Sequence, residues 1–265
     1  MTPVLEVHDV TVRFGGLTAL ADVSASVDER QVVGVIGPNG AGKTTLFNVI
    51  CGFTKPTSGR FSWNGRPLSR HEPRRLAGLG IARTLQGLGL FPRLTVVENV
   101  MVGATRHVRT RLPGAFLAAP RADREEAALR ERALAALAQL RLSETASRLP
   151  GELPYGAQKK VALARALVSE PSLLLLDEPA SGLSAGEMRE LAELIGGLRE
   201  RMSVLLVEHH MDLVMEVCDR VVVLDFGRCI ATGTPEQIRD DPRVLEAYLG
   251  DQVDDTTGGV ADARG

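Results

Sequence analysis

Cysteine is scarce in this sequence of 265 residues, which contains three: Cys51, Cys218 and Cys229. They lie far apart and form no Cys-x-x-Cys pair, so the sequence predicts neither a disulfide framework nor a zinc site. This cysteine usage fits a reducing compartment. We expect three ordinary buried thiols.

Long apolar runs and an excess of charge of either sign are also missing. No apolar run approaches the roughly 18 residues of a membrane span, and Met1–Val10 carries charges where a secretory signal would have an apolar core. The formal net charge is -2, whereas a nucleic-acid-binding protein usually has a basic surface. We expect a soluble chain that reaches a membrane only through a partner and that binds no nucleic acid.

The order of strand-like and helix-like segments predicts an α/β protein. Residues Val4–Val27 alternate apolar and polar residues around Gly15–Gly16, which is typical of antiparallel strands. Later in the chain, β-branched and leucine-rich runs alternate with helical patterns, which predicts a mainly parallel sheet. The runs in question are Gln31–Ile36, Leu173–Leu176, Val204–Val207 and, in a hairpin, Val221–Leu224.

A helix-rich segment separates the two halves of this pattern. Residues Arg121–Leu142 are rich in Ala, Leu, Glu and Arg, and they place Leu129, Ala133, Leu137 and Leu140 on one helical face. A further helix is predicted over Arg239–Leu249. The domain prediction is a core of residues 1–87 and 165–250, an inserted helical subdomain of residues 88–164, and an acidic, Gly/Thr-rich disordered tail of residues 251–265.

A complete phosphate-binding loop follows the strand that ends at Ile36. The segment fits G-x-x-x-x-G-K-[ST] and opens a helix, so backbone N–H groups and the helix N-terminus can surround phosphate oxygens. Lys43 would neutralise the terminal phosphates, and the Thr44 hydroxyl would bind magnesium. The predicted binding residues are Gly37, Pro38, Asn39, Gly40, Ala41, Gly42, Lys43, Thr44 and Thr45.

Two adjacent carboxylates, Asp177 and Glu178, follow the leucine-rich run. A carboxylate at the end of a buried strand is costly to desolvate, and a magnesium ion would remove that cost for Asp177. Side chains alternate along a strand, so Glu178 would point the other way and polarise a water. Such a pair can also cap a helix, but after a complete phosphate loop we favour catalysis.

With these motifs in this order, the chain resembles an ABC-transporter ATP-binding cassette over nearly all of Leu5–Gly250. The resemblance implies a P-loop NTPase core with an N-terminal antiparallel β subdomain and an inserted helical subdomain. It implies that Gln86 senses the magnesium and the membrane subunit. It also implies that Tyr155 and Gly156, in Leu153–Lys160, belong to the signature motif that closes over the ATP of a partner cassette.

Three further segments carry the same resemblance. Ser181–Ser184 resembles the D-loop, and His209 resembles the switch histidine that contacts the terminal phosphate. His210 is adjacent, so at most one of the two histidines faces the site, and we choose His209 because it follows Glu208 as in the family pattern. Phe14 stands where the family stacks an aromatic ring on adenine, although a lone aromatic can equally be a core residue.

Several segments resemble the ATPases of branched-chain amino acid importers: Phe14–Leu20, Gly80–Thr84, Leu90–Asn99, Gly233–Ile238 and Glu246–Gly250. That resemblance implies ATP and Mg²⁺ as cofactors, permease subunits docked on the helical subdomain, and a second ATPase subunit, identical or different. It also implies an indirect link to a solute-binding protein and a place at the cytoplasmic face of the membrane. The alternatives are uptake of urea or short amides, lipid export, and a soluble ABC ATPase outside transport.

The signature segment departs from the usual Leu-Ser-Gly-Gly-Gln. Pro154 replaces the serine and Ala157 replaces the glutamine, which removes a hydroxyl and a backbone N–H. We expect a helix to begin just after Gly156, over Gln158–Leu167, with its N-terminus still able to face an anion. This variant predicts a weakened contribution to the opposite ATP, unless it is normal for the branched-chain group.

Overall fold

The computed structural model describes residues 3–68, 72–84, 87–104 and 120–257. The chain divides into two compact units. The first unit comprises Met1–Pro73 and Met188–Gly265, and the second comprises Arg74–Glu187.

The helices and strands are numbered in chain order. In the first half of the chain they are β1 Leu5–Phe14, β2 Leu17–Val27, β3 Val32–Ile36, α1 Lys43–Ile50, β4 Ser58–Trp63, β5 Arg66–Pro67, α2 Leu76–Leu79, β6 Ile81–Arg83, α3 Val96–Gly103 and α4 Pro120–Gln139. In the second half they are α5 Tyr155–Leu167, β7 Leu173–Asp177, α6 Ala185–Leu198, β8 Ser203–Val207, α7 Met211–Val217, β9 Arg220–Asp225, β10 Arg228–Gly233, α8 Pro235–Arg239 and α9 Pro242–Thr257.

An antiparallel sheet with the order β2-β1-β4-β5 forms part of the first unit. Leu5 pairs with Val27 and Val7 with Ala25, so the predicted hairpin around Gly15–Gly16 is confirmed. Strand β4 pairs with β1 in this sheet, and its Phe61 and Trp63 are buried. Its first residues are exposed and polar, which is why the sequence pattern did not predict it.

The first unit also contains parallel strands whose ends position the candidate site. Strand β3 pairs in parallel with β8, Val35 opposite Val207, and with β9, Gly34 opposite Val221. All residues of β3 and β8 are buried, as expected for strands covered on both faces. Strands β9 and β10 form the predicted antiparallel hairpin.

Helix α7 packs very closely against β3, at Gly34. A Cβ atom at Gly34 would lie 2.8 Å from Sγ of Cys218 and 3.3 Å from Cγ1 of Val214. Burial raises the pKa of the Cys218 thiol to about 12, so this side chain stays protonated and acts as a small apolar group. Cys51 is buried too, but Cys229 is exposed, so the expectation of three buried thiols is wrong at that position.

The second unit combines helices with a short pair of strands. Strand β6 pairs in parallel with β7, Ala82 opposite Leu174. Helix α4 buries Ala133 and Leu137 and leaves Leu129 half-buried. The buried Asn99 side chain of α3 accepts from the N–H of Phe91 at 2.7 Å and donates to three carbonyl oxygens of residues 91–95, which fixes the turn before the helix.

The predicted division into a core and a helical subdomain of residues 88–164 stays a prediction. The second unit extends beyond residues 88–164 and includes β6 and β7. Backbone pairing between Ile81–Arg83 and Leu173–Asp177 links these strands, and composition gives no sign of such pairing.

The end of the chain also differs from its prediction. The helix expected over Arg239–Leu249 is α9, and it begins three residues later, at Pro242, because proline suits the first position of a helix but not its interior; Arg239 itself ends α8. Helix α9 continues to Thr257, through the first seven residues of the predicted disordered tail. An existing helix extends easily by one hydrogen bond per residue, and the glycines of the tail come only after Thr257. Residues 258–265 lie outside the described part of the chain. Within that part, no helix is both long and apolar enough to cross a membrane.

The close contact between Gly34 and Cys218 gives a prediction about stability. Gly34→Ala should lower the free energy of unfolding by about 1–3 kcal/mol, because the added methyl group overpacks the space against α7. Cys218→Ala in the same chain should recover part of that loss. Urea denaturation of the two single variants and the double variant measures the coupling. Gly16→Ala is the control, since a Cβ there meets no atom within 4 Å. Strictly additive losses from the two single variants would show that this contact does not limit the packing.

Candidate functional site

The glycine-rich loop after β3 has a conformation that two of its glycines impose. Gly37 has φ 149° and Gly42 has φ 101°, both in the region that favours glycine. A Cβ at Gly37 would lie 2.0 Å from the carbonyl oxygen of Leu224, and one at Gly42 would lie 2.8 Å from that of Ala19. The loop therefore runs against the backbone of β9 and β2, where no larger residue fits.

The turn between β9 and β10 supports the loop through hydrogen bonds. The N–H of Gly227 donates to the carbonyl oxygen of Ala41 at 3.0 Å, and the carbonyl oxygen of Gly227 accepts from the N–H of Ala21 at 2.8 Å. The turn thus joins the loop to β2. Sequence reasoning missed Gly227 as part of the site, because only the hairpin's turn signal was visible.

Lys43, the first residue of α1, is buried and lies over the loop. Its Nζ donates to the carbonyl oxygens of Gly37 at 2.6 Å and Pro38 at 2.7 Å. Helix α1 has no acidic residue in its first turn, so the ammonium group and the helix N-terminus give this loop a positive potential. Of the neighbouring residues, Thr44 is exposed and Thr45 half-buried. The arrangement suits a ligand carrying several negative oxygens.

His209 lies at the same edge of the parallel strands as the loop. Strand β8, which precedes it, pairs with β3, and the carboxyl ends of neighbouring parallel strands are the usual place for ligands in α/β sheets. The His209 side chain is 48% exposed, while the Glu208 carboxylate is fully buried. Phe14 ends β1 and is 53% exposed, which argues against its being a core residue.

The second unit holds the two predicted carboxylates. Asp177 is the last residue of β7 and is buried, and its N–H donates to Oγ1 of Thr84 at 3.4 Å. Glu178 follows in a left-handed conformation with φ 46°, so its direction is not set by strand alternation as predicted. A non-glycine residue at positive φ is uncommon, and such residues cluster at functional sites.

Lys159 of α5 holds the backbone around Glu178. Its Nζ donates to the carbonyl oxygens of Pro179 at 2.8 Å and Glu178 at 3.4 Å. Sequence reasoning missed this lysine. It lies within the signature segment, one turn into the helix, and the motif gave no signal of a contact 20 residues along the chain.

The signature segment is itself the start of α5, which begins at Tyr155 and not at Gln158 as predicted. Pro154 occupies the position before the helix, where a missing N–H breaks no helical hydrogen bond. Gly156 is buried in the first turn, and a Cβ there would lie 2.0 Å from Oε1 of Glu187. A Cβ added at Gly182 would lie 3.0 Å from Cε1 of Tyr155, so the Tyr155 ring packs directly against this glycine. The structure thus brings the predicted signature and D-loop segments together.

The predicted site residues are therefore distributed over both units. The loop residues, Phe14 and His209 belong to the first unit, and Asp177, Glu178, Tyr155 and Gly156 to the second. Gln86 lies outside the described residues.

Comparisons with known proteins identify the family. The family model for "ABC transporter" matches residues 20–181, and the model "Branched-chain amino acid ATP-binding cassette transporter" matches residues 228–254. The "High-affinity branched-chain amino acid transport ATP-binding protein BraF" of Pseudomonas aeruginosa is 44% identical over 251 residues, which cover 94% of this chain and 98% of BraF.

Solved structures of ABC transporter cassettes are similar to the chain, and two of them give the extent of that similarity. A crystal structure of the ADP conformation of an ABC-transporter cassette has a TM-score of 0.80 and 32% identity, and the match covers 94% of this chain and 100% of that one. A dimeric structure of a bacterial ABC transporter cassette has a TM-score of 0.73 and 26% identity, covering 87% of this chain and 98% of that one.

The phosphate-type loop, the strand-end carboxylates and these matches over most of its length lead to one assignment: the chain belongs to the ABC transporter family, as an ATP-binding cassette.

Proposed function

We propose that this chain binds and hydrolyses ATP to drive an importer of branched-chain amino acids. The observation that carries the proposal is the loop after β3, in which a buried lysine ammonium, a helix N-terminus and closely packed glycines form a cradle for phosphate groups. The solute class rests on the similarity to BraF and on the match of residues 228–254 to the branched-chain model, which favour amino acids over urea, short amides or lipids.

The loop residues would bind the nucleotide phosphates in this proposal. Backbone N–H groups from Gly37 to Thr45 contact phosphate oxygens, and Lys43 exchanges its carbonyl contacts for the terminal phosphates. Phe14 is exposed at the end of β1 and offers a ring for the adenine.

A magnesium ion fits the donor set, since Mg²⁺ prefers oxygen ligands and takes few of them from the protein. The exposed hydroxyl of Thr44 and the buried carboxylate of Asp177 would hold it, and Gln86 would supply a further oxygen. When bound, the ion neutralises charge that develops on the phosphate oxygens.

Glu178 would act as the base that orients or deprotonates the attacking water. Its backbone is left-handed, and Lys159 donates to the carbonyl oxygens of Glu178 and Pro179, which fixes the chain at this position. His209 would contact the terminal phosphate. These roles divide the work between binding by the loop and hydrolysis by Glu178.

The chain would work with partners at the cytoplasmic face of a membrane. A second cassette, identical or different, would receive Tyr155 and Gly156 at its own bound ATP. Permease subunits would dock on the helical part of the second unit, where Phe91, Val102 and Leu149 are exposed large apolar side chains. A solute-binding protein would act through the permeases.

Lys43 provides the first test of the proposed binding mode. Lys43→Ala should weaken ATP binding about 10- to 100-fold, since a charge-assisted hydrogen bond contributes about 1.5–3 kcal/mol. Isothermal titration calorimetry on purified protein measures the change, with the exposed Lys55→Ala as the control. Unchanged affinity in Lys43→Ala would remove Lys43 from phosphate binding.

Glu178 provides the test of the hydrolytic step. Glu178→Gln should keep ATP affinity within about twofold and lower the turnover of the assembled complex by about 10²- to 10⁴-fold, because the amide cannot accept the proton. Phosphate release and nucleotide titration are measured on the same preparation. Glu200→Gln, at an exposed position, is the matched control. Turnover by Glu178→Gln at the wild-type rate would show that another group is the base.

The permease surface can be tested by crosslinking in membranes. In a Cys229→Ser background, which removes the exposed native thiol, Phe91→Cys and Val102→Cys should crosslink to membrane subunits. Leu245→Cys, equally exposed but in the first unit, should not. Crosslinks from position 245 alone would place the permease on the other unit.

A further inference from the structure

Three side chains with metal-ligand atoms meet at the end of β8: Glu208, His209 and His210. Their ligand atoms lie within 4.8 Å of one another, a grouping that a zinc site would also show. The oxygen involved, Oε2 of Glu208, already accepts from two backbone N–H groups, however. These three residues, which we call the Glu208 cluster, are therefore joined by hydrogen bonds, and their geometry affects the orientation of His209.

The contacts of Oε2 of Glu208 hold the Glu208 cluster together. It accepts from the backbone N–H of His209 at 2.8 Å and of His210 at 3.1 Å, and Nδ1 of His210 lies 3.0 Å away. The two backbone N–H groups can only donate, so Oε2 is the acceptor in both of these bonds. The Glu208 carboxyl group thus joins the backbone after β8 to the His210 ring.

The His209 ring makes no hydrogen bond to the Glu208 carboxyl group. Its Nδ1 is 3.8 Å from Oε2, beyond hydrogen-bonding distance, and its ring is 48% exposed. The ring lies beside that of His210, with centroids 4.1 Å apart and planes tilted by 40°. Among the residues that the structure describes, neither ring nitrogen of His209 is hydrogen-bonded, while its backbone N–H is bonded to Glu208 and its ring lies beside that of His210.

Burial makes the Glu208 cluster rigid. The Glu208 side chain is fully buried, and a buried carboxylate is stable only when it is hydrogen-bonded. The N–H of Glu208 also donates to the carbonyl oxygen of Val35 in β3 at 3.2 Å. Glu208 is thus bonded to the strand that leads into the phosphate-binding loop, so loop and histidine share one support.

We propose that Glu208 and His210 are positioning residues that hold the His209 imidazole for contact with the terminal phosphate; this rests on the role proposed above for His209. Glu208 acts by fixing the backbone and His210, and His210 acts by supporting the His209 ring. Neither needs to touch the nucleotide. Their loss should therefore lower turnover while leaving nucleotide binding to the loop.

Three variants test the contributions of the Glu208 charge, the His210 donor and the His210 ring. Glu208→Gln keeps the size of the side chain but not its charge, His210→Phe keeps a ring beside His209 but no donor, and His210→Asn keeps a donor close to Nδ1 but no ring. In the assembled complex each should lower kcat by about 10- to 100-fold, as expected for a displaced reacting group, with ATP affinity and KM within about twofold of wild type. His8→Asn, which alters the other histidine–glutamate pair of the first unit, should leave kcat unchanged.

A readout independent of hydrolysis is the ¹⁵N NMR signal of the histidine rings. Wild-type His210 should show the Nδ1–H tautomer, and Glu208→Gln should shift the ring signals of both His209 and His210. If Glu208→Gln does not fold, the two partly exposed His210 variants carry the test alone.

His209→Ala distinguishes failure of this inference from failure of the proposed function. Loss of turnover in His209→Ala together with wild-type kcat and unchanged His209 signals in the other variants would overturn the positioning role. Wild-type turnover in His209→Ala would instead overturn the role of His209 itself, and the positioning role with it.

Discussion

The proposed chemistry depends on how closely the backbone can approach itself at two glycines of the loop after β3. At Gly37 a side chain would collide with the carbonyl oxygen of Leu224, and at Gly42 with that of Ala19. The loop can therefore lie against β9 and β2, and Gly227 is hydrogen-bonded to both the loop and β2. This packing sets Lys43 at the first position of α1 and directs its ammonium group over the loop. A bulkier loop would move the charge, the helix N-terminus and the backbone N–H groups together.

Strand ends place the other functional groups, each by a different local device. Glu208, buried after β8, turns the chain so that His209 is exposed, and Lys159 bonds to the carbonyl oxygens around the left-handed Glu178 after β7. Asp177 is the simpler case, a buried carboxylate at the last position of its strand. At Glu208 and at Glu178, hydrogen bonds to backbone groups fix the chain beside a side chain for which we propose a role. Such fixed geometry is what catalysis by positioning requires.

The sequence was sufficient where a pattern is local. The loop motif, the hairpin around Gly15–Gly16 and the buried strands before Asp177 and His209 follow from periodicity and glycine placement, and the structure has them where they were expected. It was insufficient where distant contacts decide. The start of α5 at Tyr155 depends on the position before the helix, which accepts Pro154. The conformation of Glu178 depends on the end of β7 and on its support by Lys159. The extent of the second unit depends on the pairing of β6 with β7. The buried Glu208 could have been noticed by the same reasoning that singled out Asp177, a carboxylate at the end of an apolar strand.

We propose that the loop residues and Asp177 bind one magnesium-bound nucleotide, and calorimetry tests this directly. ATP affinity is measured by calorimetry in Mg²⁺ and in EDTA, for the wild-type chain and for Asp177→Asn. The account predicts tighter binding in Mg²⁺ for wild type, and for Asp177→Asn the loss of that gain with unchanged affinity in EDTA. An Asp177→Asn chain that keeps the full gain from Mg²⁺ would contradict it.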